Sequence, residues 1–184
     1  MQRKLRLNGT IPVIIGIIIM LLPLNLIFKT EGIILDLVGY ALMALGLFIL
    51  NKKDGGFRFS SIVALISAVL CAVMLFIDVG HLFVLLPLCA FCVMLYLMCT
   101  RYAILAHRTG DEHMEHHFIS HMWIDITVTI IEIIAHAAGV HGIVYYLIVA
   151  ADLYCEAMLL ILMWQFYKKY DGASYASDKA TAEK

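Results

Sequence analysis

Apolar runs separated by short polar turns recur along the whole chain. Six of them, at about 11–28, 32–50, 59–77, 81–99, 120–138 and 142–164, are long enough to cross a ~30 Å hydrocarbon core at ~1.5 Å rise per residue. The pattern predicts an all-α fold: a polytopic integral membrane bundle of six transmembrane helices, arranged as three helical hairpins. Residues 1–169 read as a single transmembrane domain, and 170–184, polar and rich in small residues, as a disordered tail. The basic leader before the first run resembles a signal peptide, but the run is longer than an ordinary ~7–15-residue signal core, so it reads as a first span.

Polar positions inside the runs are sparse, and the last hairpin holds most of them. Its first arm carries His121, Asp125, Glu132 and His136, and its second carries His141, Tyr145, Asp152 and Glu156. Both sets have offsets of four, seven and four, which at 100° per residue confine each to roughly 60° of helical arc. Each arm is therefore predicted to be a greasy helix with one narrow polar stripe. With the turn centred near Gly139, antiparallel pairing sets His136 and His141 at the mouth and Glu132 beside Tyr145 about 10 Å down. Asp125 and Asp152 fall about 20 Å down, with His121 and Glu156 near the inner interface. Asp36 and His81 are expected to join near the outer surface.

Composition confirms the solvent. Hydrophobic residues make up 63% of the 184 residues and charged ones only 15%, with mean hydropathy +0.93, whereas soluble domains are about 45–50% apolar. Basic residues sort by side: Arg3, Lys4, Arg6, Lys52, Lys53, Arg58, Arg101, Arg108, Lys168, Lys169, Lys179 and Lys184 fall on one side and Lys29 alone on the other. Positive loops stay inside, so both termini are expected to be cytoplasmic, in what reads as a bacterial cytoplasmic membrane. A net charge of -1 with scattered basic residues gives no footprint for nucleic acid. The outer turns are too short for an external binding domain. In the third span Ser60, Ala64, Ala68 and Ala72 recur every four residues, a spacing that lets helix backbones approach closely within the bundle or in a homo-oligomer.

The chemistry follows from what the spans lack. Asp36, Asp125, Glu132, Asp152 and Glu156 lie in predicted spans that contain no Lys or Arg. An ionised carboxylate costs several kcal/mol to desolvate alone, so each must be protonated, wetted or bound to a cation brought from outside. Carboxylates with imidazoles form the ligand set of Zn, Mn or Fe and also relay protons. The metal or proton residues expected on this basis are His121, Asp125, Glu132, His136, His141, Asp152 and Glu156. The sequence thus predicts a small transporter or channel-like protein binding or moving a divalent metal cation or protons. A membrane-embedded metal-dependent enzyme acting on lipid, or a non-catalytic accessory subunit, would use the same stripe differently. No set of catalytic residues stands out. The expected partners are the lipid bilayer and the metal ion or proton.

Four local likenesses bear on this reading. His121-x3-Asp125 on the fifth of six spans resembles the metal-binding pair of cation diffusion facilitators, which would make both residues ligands, although the second span offers Asp36 and Tyr40 where that family has two ligands. His113-x2-His116-His117, in a segment 100–120 expected to be a solvated loop, resembles one histidine box of the membrane di-iron desaturases, which need several. Cys89-x2-Cys92 resembles the redox pair of quinone-linked thiol oxidoreductases, or else two packing thiols. The first hairpin, with Gly16, Pro23, Gly32, Gly39 and Gly46, resembles a repeat of the acid-resistance membrane proteins of the HdeD type over under a third of the chain.

Overall fold

Six helices make up the computed structural model, which describes residues 7–21, 29–77 and 85–182. They are α1 (Thr10–Met20), α2 (Lys29–Asp54), α3 (Arg58–Phe76), α4 (Leu85–Arg108), α5 (Glu112–Ala137) and α6 (Ile143–Ala182). There is no strand among the described residues. Every helix from α2 to α6 contains a stretch long and apolar enough to cross a membrane. The second half of the first expected span, with Pro23, and the residues around His81 lie outside the described residues. Each helix packs on its neighbours in sequence, and α6 returns to α1, which closes the bundle into a ring.

The packing is that of a protein solvated by lipid. Long apolar side chains such as Leu45, Phe48, Leu65, Val69, Trp123, Ile131, Leu147 and Ile161 point outward, where water would penalise them and hydrocarbon does not. Inside, α1 and α2 cross through glycines. A Cβ on Gly16 would stand 2.6 Å from the Gly39 carbonyl oxygen, and one on Gly46 would stand 2.5 Å from that of Gly9. Only residues without a side chain allow this approach. Of the stripe Ser60, Ala64, Ala68 and Ala72, the first three are buried inside the chain and Ala72 is half-buried, so the small residues serve close packing within the bundle.

Helix boundaries on the basic side differ from the sequence expectation. The segment 100–120 is helical apart from the turn Thr109 to Asp111, because α4 runs on to Arg108 and α5 begins at Glu112. Buried Tyr102, Leu105 and Ala106 continue the inner face of α4, while buried Met114 and Phe118 begin that of α5. Tyr102 stacks on Phe118 and meets Phe57 and Phe166 edge-on, and its hydroxyl lies 3.0 Å from that of Thr10, so one ring joins five parts of the bundle. The turn itself is a Schellman closure. Asp111 N–H donates to the Ala106 carbonyl and Gly110 N–H to that of His107, with Gly110 at φ 76°, a conformation suited to glycine. At the other end of the chain α6 continues as helix to Ala182, through the tail whose composition reads as disordered.

Candidate functional site

On α5 the buried positions are Met114, Phe118, Met122, Asp125, Thr129 and Ala135, spaced as one helical face. The face is apolar near the Asp111 turn and polar beyond Met122. The matching face of α6 holds Asp152, Cys155, Leu159, Met163 and Phe166, apolar at the same end and polar at the other. The two polar halves meet. Asp125 is 1% exposed, Thr129 0% and Asp152 8%. The middle parts of the two stripes, around Asp125 and Asp152, therefore face each other, while their histidine ends do not.

Their register differs from the expected one by about one helical turn. Asp152 lies against Thr129, with the Thr129 hydroxyl 2.9 Å from Asp152 Oδ1, and it also adjoins the Glu132 carboxyl. Tyr145 pairs with His136, its hydroxyl 3.5 Å from Nδ1. The reason is the turn. A Schellman closure at Gly139 ends α5, and α6 starts only at Ile143, so the hairpin axis passes beyond Gly139. Glu156, expected near the inner interface, sits instead close to the middle of the 28-residue apolar stretch Ile143–Tyr170. There it lies within electrostatic reach of Asp152, Asp125, Glu132 and Asp36.

Thr129 was not among the residues singled out in the sequence, yet it links the two helices. Its hydroxyl lies 2.9 Å from Asp152 Oδ1 and 2.9 Å from its own turn's Asp125 carbonyl oxygen. A hydroxyl has one proton and can donate to only one of these at a time. With Asp152 ionised, Thr129 donates to the carboxylate. With Asp152 protonated, the carboxyl can donate to Thr129 Oγ1, and Thr129 turns its proton to the Asp125 carbonyl. Beside it, neither carboxyl oxygen of Asp125 has a hydrogen-bond partner among the described residues. A buried polar group in that condition costs about 1–3 kcal/mol and is unusual in a folded chain.

The remaining expected ligands lie elsewhere. His136 and His141 are exposed at the α5–α6 turn, and His121 is half-buried and follows His117 on α5 rather than meeting Glu156. Among the described residues no three His, Cys, Asp or Glu side chains converge as a metal-holding group. Tyr40 donates its hydroxyl to the Pro87 carbonyl at 2.9 Å, a strut between α2 and α4. Cys89 is exposed and Cys92 half-buried, and both are free thiols. Compared with family models, curated proteins and solved structures, the chain matches none of them.

Proposed function

We propose that this chain is a small membrane transporter or channel-like protein whose interior carboxyls, Asp125, Glu132, Asp152 and Glu156, take up and pass protons. It would reside in the cytoplasmic membrane with its basic ends inside, as the charge asymmetry favours. The observation that carries the reading is the Asp125, Thr129 and Asp152 arrangement, whose hydrogen bonds have one pattern for each protonation state of Asp152. Support comes also from the contact between the Glu132 and Asp152 carboxyls, which needs a proton or a cation between them. A divalent cation bridging those two carboxyls is the competing occupant.

Flux through the full chain in proteoliposomes tests this. An imposed pH gradient is expected to drive proton movement that is lost in Asp152→Asn and Glu132→Gln, both of which keep volume and remove the titratable group. Asp125→Leu is expected to abolish flux while preserving or raising thermal stability, since it removes an unpartnered buried polar group worth about 1–3 kcal/mol. Proton flux that persists in all three variants would overturn the proposal, and Mn²⁺ movement without proton movement would reassign the carboxyls to metal.

A further inference from the structure

The histidines at the start of α5 are not used by the carboxyl cluster, and their geometry is specific. His113 and His117 are four residues apart on one helical face, with ring centroids 4.3 Å apart and planes at 71°. Their Nε2 atoms are 3.1 Å apart. Two imidazole nitrogens bound to one ion at ~2.0–2.1 Å stand about 2.9 Å apart at a right angle and about 3.3 Å apart at the tetrahedral angle. The observed separation falls between these values. Without an ion, one ring donates its N–H to the lone pair of the other, and an ion takes the place of that shared proton. His113 is exposed and His117 half-exposed, so both can be reached.

Neighbouring groups narrow the ligand set. His107 Nδ1 lies 2.8 Å from Glu115 Oε2, a contact that occupies both side chains. His121 continues the file one turn on, its ring 6.2 Å from that of His117, close enough to follow an ion but not to share the 3.1 Å spot. His116, adjacent in sequence to His117, points about 100° away around the helix. Asp125 is eight residues beyond His117, roughly 12 Å along α5, so the pair is separate from the interior carboxyls.

We infer that His113 and His117 form a chelating site for an imidazole-preferring divalent transition-metal ion, with water completing the coordination. Two histidines at i and i+4 are the helical spacing that presents both rings to one ion. Imidazole suits Cu²⁺, Ni²⁺ and Zn²⁺, with Cu²⁺ bound most tightly at a site of this kind. An ion held there clamps the first two turns of α5, next to the Asp111 turn that joins it to α4.

Titration of the full, untagged chain in detergent with Cu²⁺, followed by electron paramagnetic resonance, tests the site. One ion per chain is expected, with nitrogen splitting from two imidazoles. Binding should weaken at least ~10-fold in His113→Ala and in His117→Ala, a loss no smaller than removing a group that merely orients a ligand. It should be unchanged in His116→Ala and Glu132→Gln. Thermal unfolding of the variants without metal checks that the fold is kept. Wild-type affinity in the His113→Ala, His117→Ala double variant would overturn the inference, as would a loss that follows His116 or Glu132 instead.

Discussion

Thr129 of α5 and Asp152 of α6 meet at 2.9 Å in the interior of the last hairpin, and this bond makes the contact between the two helices depend on a side chain that can gain or lose a proton. Thr129→Val keeps the shape and removes the hydroxyl, leaving the buried Asp152 short of a partner. It is expected to destabilise the chain by about 1–3 kcal/mol in thermal unfolding, whereas Thr129→Ser is expected to stay near wild type. Equal stability of the Val and Ser variants would show that the hydroxyl makes no net contribution.

Asp111 joins three segments at the basic end. It accepts from the Met114 N–H at 3.3 Å as the N-cap of α5, from Lys169 Nζ at 2.6 Å and from the Tyr170 hydroxyl at 2.7 Å. Burial alone would raise its pKa, but the bonds from Lys169, Tyr170 and Met114 outweigh it and hold the carboxyl below its ordinary value. A depressed native pKa adds stability above the unfolded value of ~3.9, and that stability is lost as pH falls through the native value. Asp111→Ala is therefore expected to lower stability by about 1–2 kcal/mol at neutral pH, from the cap and the ion pair together. The difference from wild type should shrink in unfolding measured at decreasing pH below 4. A gap that is constant with pH would assign the effect to shape rather than charge.

The α1–α2 crossing makes a prediction in which two effects have opposite signs. Helix propensity favours Ala over Gly by ~1 kcal/mol, so Gly16→Ala and Gly46→Ala would stabilise an open helix. Here the added Cβ meets a backbone carbonyl at 2.6 Å and 2.5 Å, and backbone cannot swing aside as a side chain can. Both variants are expected to be destabilised by about 1–3 kcal/mol in thermal unfolding. A gain in stability would show that the helices stand further apart.

Much of the fold was legible in the sequence because membrane helices announce themselves by length and hydropathy, and the matched offsets on two consecutive helices gave each a narrow stripe without deciding whether the two stripes face each other. The register was not. A shift of one turn leaves the spacing within each stripe unchanged, so only the closure at Gly139 and the start of α6 at Ile143 decide it. Thr129 was readable in principle, four residues beyond Asp125 on the same file, but a lone threonine in an apolar run carries no charge to draw notice. The continuation of α4 and α5 through 100–120 depended on Tyr102 and Phe118 finding Phe57 and Phe166, with Leu105 and Met114 joining the same core. In the sequence, the surrounding histidines and charges mask that inner face.

The two glycine contacts between α1 and α2 lie seven residues apart on each helix, at Gly9 and Gly16 against Gly46 and Gly39. Two separate points of backbone contact fix both the sliding and the turning of one rod on another, where a single point would leave a pivot. In the proposed proton-carrying role, α1 and α2 would therefore be the stator. The travel would then fall to the hairpin of α5 and α6, whose contact is made through side chains that can trade partners.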